Sequence, residues 1–176
     1  MEIYGVTGMP LAGKTTVAEM MGEKGFTVLD MGNIVRIEME RRDIPAERTG
    51  EFVSQMRDEH GRDAIAQISV PYLEEMMEER DRIVITGMRG WSEKKHFEKE
   101  TGEDIEVVAV WASRETRKNR KEERQREEDV EGQEFHDRDL REIEQGVGKM
   151  MALSDHLVRN EGKTVEELEE EVEKIV

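Results

Sequence analysis

Eight consecutive residues near the start of the chain have the types and spacing needed to bind a polyphosphate. They read Gly8-Met9-Pro10-Leu11-Ala12-Gly13-Lys14-Thr15 and fit the pattern GxxxxGK(S/T). In this pattern the glycines let backbone N–H groups converge on one anion, and the lysine adds a positive charge. With average residue usage, the pattern arises by chance in on the order of one per cent of chains this long. We therefore interpret residues 8–15 as a phosphate-binding loop rather than an exposed turn.

The pattern also predicts a role for each side chain that follows the second glycine. We expect Lys14 to reach the β- and γ-phosphates of ATP, Thr15 to ligate Mg²⁺, and Thr16 to bond the α-phosphate. The other loop residues are predicted to surround the same phosphates, and they are Gly8, Met9, Pro10, Leu11, Ala12 and Gly13. ATP and Mg²⁺ are therefore the predicted cofactors.

The elements around the loop predict an α/β fold. Apolar segments of about five residues alternate with longer amphipathic ones, which is typical of a parallel sheet covered by helices. Strands are predicted at 3–7, 26–29, 82–86, 105–111 and, briefly, 157–158. The loop follows the first strand and leads into a helix at 15–22, so that the helix N-terminus faces the bound anion.

Further helices are predicted at 34–40, 51–60 and 63–79, and Pro71 is expected to kink or split the last of these. The stretch 113–145 is dominated by charge, with a break near Gly132, and it is the one stretch that we expect to form a projecting lid. The series Thr164-Val165-Glu166-Glu167 is a capping box that opens the final helix. We expect one domain over 1–176, with acceptor-binding helices at about 31–80 and the lid at about 113–146.

The composition disfavours several classes of function. Asp and Glu number 43 against 27 Lys and Arg, and the net charge of −16 repels nucleic acid and anionic lipid. The absence of cysteine excludes disulfides and thiolate metal sites. The sequence has neither a signal-like start nor a membrane-length apolar run, so we expect a cytoplasmic protein with no membrane or nucleic-acid partner. The acidity fits a salt-rich cytoplasm and an ordinary acidic protein about equally.

Five segments spread over nearly the whole chain resemble the P-loop nucleotide kinases, adenylate kinase and dephospho-CoA kinase among them. The segments are GMPLAGKT at residue 8, MGNIVR at residue 31, EHGRDA at residue 59, TGMR at residue 86 and SDHLVRNEG at residue 154. More closely, the chain resembles a largely uncharacterised archaeal P-loop family. The resemblance implies a three-layer P-loop fold, with a five-stranded parallel sheet in the order 2-3-1-4-5, helices on both faces and a helical lid.

The resemblance also implies roles for several arginines. Arg36 and Arg89 match the arginines that bind the acceptor phosphate, which a guanidinium contacts bidentately. Lid arginines that close over the transferring group correspond to Arg117, Arg120 and Arg124, which share one helix face, with Arg126 and Arg138 as further candidates. Asn160 lies in a segment that resembles the adenine-binding loop of these kinases. For each residue the alternative is a surface or turn role.

Three positions depart from the pattern of these kinases. Thr86 and Asn33 stand where related proteins commonly have an acid, and Leu11 replaces a common loop glycine. Asp30 is the nearest candidate to supply a carboxylate beside the metal. Phosphoryl transfer depends mostly on positioning and electrostatics, so the missing acids do not exclude catalysis.

We therefore predict a phosphotransferase that moves the γ-phosphate of ATP to a small nucleotide-type acceptor, such as a nucleoside monophosphate or a dephospho-CoA-like compound. Its predicted catalytic residues are Lys14, Arg89, Arg120 and Arg124. The alternative is a nucleotide-dependent switch or slow ATPase that acts through a protein partner. No motif identifies the acceptor.

Overall fold

The computed structural model describes residues 1–124 and 132–176, and the side chains of residues 1–122 and 134–176. Its sheet has five parallel strands in the order β2-β3-β1-β4-β5. The strands are β1 (Glu2–Thr7), β2 (Thr27–Asp30), β3 (Arg82–Thr86), β4 (Glu106–Trp111) and β5 (His156–Arg159). The predicted α/β fold and strand order are confirmed.

The three central strands β1, β3 and β4 each contain a short run of buried residues, whereas β2 and β5 at the edges each bury one residue. In β1 the five residues from Ile3 to Thr7 are all buried, and in β4 the four from Val107 to Val110 are. Such runs are typical of parallel sheets covered on both sides. Val6 pairs with Thr86 on one side and with Val108 on the other, so the carboxyl ends of β1, β3 and β4 lie at one edge of the sheet. Doubly wound sheets bind their ligands at this edge.

The helices cover the two faces of the sheet. They are α1 (Lys14–Glu23), α2 (Met31–Arg41), α3 (Thr49–His60), α4 (Ala64–Glu79), α5 (Trp91–Thr101), α6 (Arg114–Arg124), α7 (Gly132–Gln145), α8 (Val147–Ala152) and α9 (Val165–Glu173), with a 3-10 turn at Ala46–Arg48. One apolar cluster joins the sheet to α2, α3, α4, α5 and α8, and a second joins it to α1 and α9. The expected three layers are therefore present. Within the described ranges, no helix is both long and apolar enough to cross a membrane.

The helices differ from the prediction at two points, although a kink at Pro71 stays a prediction. Pro71 does not split its helix, because α4 runs unbroken from Ala64 to Glu79. The proline is exposed, while Val70 and Leu73 beside it are buried in the core and hold the helix in place. In addition, α5 and α8 were not predicted. The buried residues of α5 are Glu93, Lys94 and Phe97, so its inner face does not show an apolar stripe.

Candidate functional site

Residues 8–13 form a loop that links the end of β1 to the first residue of α1. Gly8 and Gly13 have φ angles of 150° and 101°, which L side chains rarely adopt. A Cβ atom at Gly8 would lie 2.3 Å from the Val110 carbonyl oxygen, and one at Gly13 would lie 2.0 Å from Asn160 Nδ2. The backbone therefore requires glycine at both positions that the pattern specifies.

Leu11 adopts the left-handed conformation, with φ 65°, that the glycine of related loops would adopt without strain. The departure from the pattern at Leu11 thus changes the side chain while the backbone keeps a conformation suited to glycine. Holding a non-glycine residue in this region costs about 1–2 kcal/mol. Other contacts must therefore hold the loop in shape.

Those contacts come from α6 and from the end of β5. Arg120 Nη1 donates to the carbonyl oxygens of Leu11 (3.0 Å) and Ala12 (3.1 Å), and its Nη2 donates to that of Asn160 (2.6 Å). The Asn160 side-chain amide donates to the Ala12 carbonyl oxygen at 2.8 Å. Both carbonyl groups that precede Gly13 are thereby fixed. The structure thus places Arg120 and Asn160 against the backbone of the loop, and their predicted contacts with the phosphoryl group and the adenine stay predictions.

Arg117 also supports the loop, from a buried position. Its guanidinium binds Asp139 through two hydrogen bonds of 2.7 and 2.8 Å and donates to the Pro10 carbonyl oxygen at 3.2 Å. This buried pair joins α6, α7 and the loop. Arg117 therefore has a structural partner that sequence analysis missed. The side chain of Arg124, and Arg126 as a whole, lie outside the described residues.

The ammonium group of Lys14 lies against the loop. Its Nζ donates to the carbonyl oxygens of Gly8 (2.8 Å) and Met9 (3.0 Å). Burial lowers the pKa of Lys14 to about 8, and the neighbouring Arg89 lowers it further, whereas Glu142 opposes the change. Thr15 and Thr16 follow on the first turn of α1 and are exposed. The loop thus carries a desolvated cation next to two free hydroxyl-bearing side chains.

A cleft of about 1150 Å³ extends from Lys14 and Thr15 to the helices α2, α3 and α4. It is lined by five arginines from different parts of the chain, namely Arg36, Arg57, Arg62, Arg89 and Arg141. Two of them, Arg62 and Arg141, have no carboxylate within ion-pairing distance among the described residues. The structure therefore brings Lys14 and Thr15, at the end of the phosphate loop, and both predicted acceptor arginines to one cavity.

Asp30 lies at the carboxyl end of β2, beside Thr86 at the end of β3. One carboxylate oxygen accepts a hydrogen bond from the Gly32 N–H (2.9 Å) and caps α2, while the other lies 3.5 Å from Arg36 Nη2. Asp30 and Thr15, the predicted metal ligands, both line the cleft. No group of three or more His, Asp or Glu side chains able to hold a metal occurs in the described part of the chain. A cation here would need phosphate oxygens as additional ligands.

Arg89 is held at both its backbone and its side chain. Its guanidinium donates to Glu142 (2.8 Å) and Gln145 (3.3 Å) of α7, and its N–H donates to Glu93 Oε2 (2.7 Å). Sequence analysis missed all three partners. Glu142 and Gln145 lie in the charge-rich stretch, where no local pattern distinguishes them. For Glu93, the available signal was a glutamate three residues after Gly90, at the capping-box position of a helix.

Glu93 is the most deeply buried acid among the described residues, at 1 % exposure. Its Oε2 also accepts a hydrogen bond from the Gly90 N–H at 3.1 Å. Arg57 Nη2 lies 3.5 Å from Oε1. Burial raises the pKa of Glu93, while the two N–H groups and Arg57 act in the opposite direction.

The segment after β5 is fixed to the start of α6. Glu161 Oε2 accepts hydrogen bonds from the Ser113 N–H (2.8 Å) and the Thr116 hydroxyl (3.0 Å). Hydrogen bonding lowers the pKa of the Glu161 carboxyl group to about 2, and the bond from the Ser113 N–H makes the largest contribution. The Asn160 N–H donates to the Trp111 carbonyl oxygen at 2.7 Å. The predicted base-binding segment therefore has a defined position next to the loop.

Comparison with known sequences identifies relatives over the whole chain. A family model described as an AAA domain matches residues 7–144. A UPF0200 protein of Methanocaldococcus jannaschii is 34 % identical over 164 residues, covering 92 % of this chain and 82 % of that protein. A UPF0200 protein of Methanococcus maripaludis is 31 % identical over 182 residues, covering 100 % and 98 %. An Archaeoglobus fulgidus UPF0200/UPF0201 protein is 35 % identical over 178 residues, and the chain spans 54 % of its length.

Solved structures share the fold at low sequence identity. TT1252 from Thermus thermophilus superposes with a TM-score of 0.71 at 17 % identity, covering 99 % of this chain and 95 % of that one. Shikimate kinase from Bacteroides thetaiotaomicron gives 0.62 at 17 % identity, covering 99 % and 96 %. Shikimate kinase from Acinetobacter baumannii, in complex with shikimate, gives 0.59 at 14 % identity, covering 99 % and 91 %. The chain thus shares its fold with these proteins, two of which are shikimate kinases.

Proposed function

This chain belongs to the UPF0200 family of archaeal P-loop proteins, and we propose that it transfers the γ-phosphate of ATP to a small nucleotide-type acceptor. The observation that carries the proposal is that Lys14 and Thr15, which end the phosphate loop, line the same cleft as two arginines. Lys14 and Thr15 lie at one end of this cleft, and Arg36 and Arg89 also line it. Such an arrangement suits two phosphate-bearing molecules bound side by side.

The loop fits a triphosphate in both shape and charge. Gly8 and Gly13 give the loop backbone φ angles that L side chains rarely adopt, and Lys14 provides a partly buried positive charge. Thr15 and Asp30 are the residues that would hold Mg²⁺, which would neutralise charge on the phosphate oxygens when it is bound. Thr16 adds a hydroxyl for the α-phosphate.

Phosphoryl transfer requires the protein mainly to position the two substrates and to stabilise negative charge on the transferring group. An oxygen of the acceptor forms a bond to the γ-phosphorus as the bond to the β,γ-bridging oxygen breaks, and ADP leaves. Lys14 stabilises charge on the transferring group, while Arg36 and Arg89 hold the anionic group of the acceptor. Arg120 contributes by fixing the loop through its two carbonyl contacts. For Arg124, closure over the phosphoryl group stays a prediction.

The test is ADP formation with Mg²⁺ and ATP, measured against a panel of nucleoside monophosphates and dephospho-CoA at low and high salt. We expect one acceptor to raise the rate well above the rate with ATP alone. Lys14→Ala is expected to lower that rate by a factor on the order of 10³. An unchanged rate in Lys14→Ala would refute the site assignment.

A second function, a nucleotide-dependent switch or slow ATPase that acts on a protein partner, is favoured by a specific observation. Thr86, at the carboxyl end of β3, lines the cleft where related kinases have an acid. The A. fulgidus relative is nearly twice as long as the aligned region and bears a double family name, so a second protein segment accompanies this domain there. ATP turnover that needs no acceptor in any part of the panel would favour the switch.

A further inference from the structure

One buried carboxylate oxygen in the cleft has no hydrogen-bond donor. Glu93 lines the cleft and is 1 % exposed, yet its Oε1 accepts no hydrogen bond from any described residue. Buried polar atoms without a partner are rare, because burial removes the hydrogen bonds that water would make. Oε1 is therefore an acceptor that lacks its donor.

The capping role of Glu93 explains only its other oxygen. Oε2 accepts the N–H groups of Arg89 and Gly90, at 2.7 and 3.1 Å, and so closes the first turn of α5. Helix capping requires nothing of Oε1. Arg57, which also lines the cleft, lies 3.5 Å from Oε1 and favours the charged, accepting form of the group against the effect of burial.

The cleft that Glu93 lines also has apolar side chains against which a flat ring could pack. Val35 and Ile65 are buried and Val53 is partly buried, and all three line the same cleft as Glu93. Ligand sites commonly combine apolar side chains, which contact the body of the ligand, with polar groups that fix its orientation. The cleft thus combines arginines for an anion, apolar walls for a ring and one free acceptor oxygen.

We propose that Glu93, supported by Arg57, determines acceptor specificity by accepting a hydrogen bond from an N–H group on the heterocyclic base of the acceptor nucleotide. This inference rests on the proposed function. Arg36 and Arg89 hold the phosphate end of the acceptor, and Glu93 accepts a hydrogen bond from an N–H group on the base of the acceptor. A base that lacks a donor at this position leaves the buried oxygen unpaired, and sites of this kind reject such analogues strongly.

The test uses Glu93→Gln, which keeps the hydrogen bonds that cap α5 and changes the atom at the position of Oε1. The amide oxygen of glutamine still accepts from the Arg89 and Gly90 N–H groups, while its NH₂ replaces the accepting Oε1 with a donor. Calorimetry measures the Kd of AMP, GMP, CMP and UMP, with a nonhydrolysable ATP analogue present. For the nucleotide that the wild type binds most tightly, Glu93→Gln is expected to weaken binding about tenfold or more. Affinity for the ATP analogue is expected to stay unchanged.

The chain offers a matched control. Glu167 occupies the same capping-box position in α9, where it accepts the Thr164 N–H at 2.8 Å. Glu167→Gln is expected to leave every Kd unchanged. If AMP is the tightest ligand, purine riboside 5′-monophosphate, which lacks the exocyclic amine, should bind the wild type weakly and should lose little further affinity in Glu93→Gln.

Three outcomes would overturn the inference. Equal binding of the preferred nucleotide by wild type and Glu93→Gln would show that Oε1 accepts no hydrogen bond from the base. A fall in kcat with an unchanged Kd would assign Glu93 to the chemical step instead. Failure of the wild type both to bind any of these nucleotides and to form ADP in response to them would refute the proposed function, and this inference with it.

Discussion

The ammonium group of Lys14 is desolvated, and this makes ATP binding depend on pH in a defined direction. Its pKa is lowered from 10.5 to about 8, so the free protein loses the charge as pH rises through about 8. A polyphosphate favours the charged form and therefore raises the pKa when it binds. We expect ATP affinity to fall about tenfold between pH 7.5 and pH 9, as measured by calorimetry, with proton uptake on binding.

Lys14→Arg is the control for this prediction, because a guanidinium stays charged over the whole range. Its ATP affinity, whatever its absolute value, should vary little with pH. A wild-type affinity that is equally flat would mean that Lys14 does not titrate near pH 8 or does not contact the phosphates.

At the residue scale, the sequence identified the loop but not the partners that support it. Residues 8–15 are contiguous, so the types and spacing of Gly8, Gly13 and Lys14 indicate their chemistry directly. Glu93 and Arg57 meet only after α3 and α5 have packed on the same face of the sheet, and no local pattern records that contact. Buried pairs formed over long sequence separations are therefore the part that sequence reasoning missed.

At the element scale, the contact between α6 and α7 depends on one buried ion pair. Arg117 and Asp139 are 4 % and 6 % exposed and share two hydrogen bonds. Removal of one partner leaves a buried charge uncompensated, which typically costs about 3–5 kcal/mol. We expect Asp139→Asn to lower the free energy of unfolding by about 3 kcal/mol in urea titrations and to weaken ATP binding, since Arg117 also holds the Pro10 carbonyl.

An exposed pair provides the comparison. Arg48 and Glu51 also share two hydrogen bonds, of 2.8 and 2.6 Å, but both side chains are largely in solvent. Glu51→Gln should change the free energy of unfolding by less than about 1 kcal/mol. A loss in Asp139→Asn no larger than the loss in Glu51→Gln would contradict the structural role of the buried pair.

Among the elements, strands were easier to predict than helices. Each strand is a short apolar run bounded by polar residues, and all five were found within about a residue or two of their ends. The α5 helix buries Glu93 and Lys94 beside Phe97, so charged side chains occupy positions that the helical pattern reserves for apolar ones. The six-residue α8 is too short to show a period.

At the scale of the whole molecule, the excess of carboxylates predicts stabilisation by salt. A net charge of −16 opposes compaction, and the Debye length falls from ~10 Å at 0.1 M to ~3 Å at 1 M salt. We expect Tm to rise by roughly 5 °C or more between 0.1 and 1 M KCl, as measured by scanning calorimetry.

A variant separates charge repulsion from other effects of salt. Glu74, Glu75 and Glu170 are exposed, and changing all three to Gln takes the net charge from −16 to −13, since three negative charges are removed. This variant should melt higher than the wild type at 0.1 M KCl and gain less from added salt. A wild-type Tm that is flat over this range would refute the role assigned to self-repulsion.

The order of the strands was not accessible from periodicity. Alternating apolar and amphipathic segments predict a parallel sheet between helices, but strands that pair are separated by whole helices, and no local signal states which strand lies beside which. The order 2-3-1-4-5 came from the resemblance carried by the loop and four weaker segments, and it is confirmed. The acceptor is not specified at this scale either, because the cleft is assembled from side chains of many elements.

Every role proposed for the cleft depends on binding of the triphosphate of ATP by the loop from Gly8 to Thr15. The most direct measurement is a crystal structure of the protein with Mg²⁺ and a nonhydrolysable ATP analogue. We expect the β- and γ-phosphates within hydrogen-bond distance of the loop N–H groups and of Lys14 Nζ, with the γ-phosphate facing the cleft that contains Arg36 and Arg89. A nucleotide bound elsewhere, with no phosphate in this loop, would show that residues 8–15 are not the ATP site.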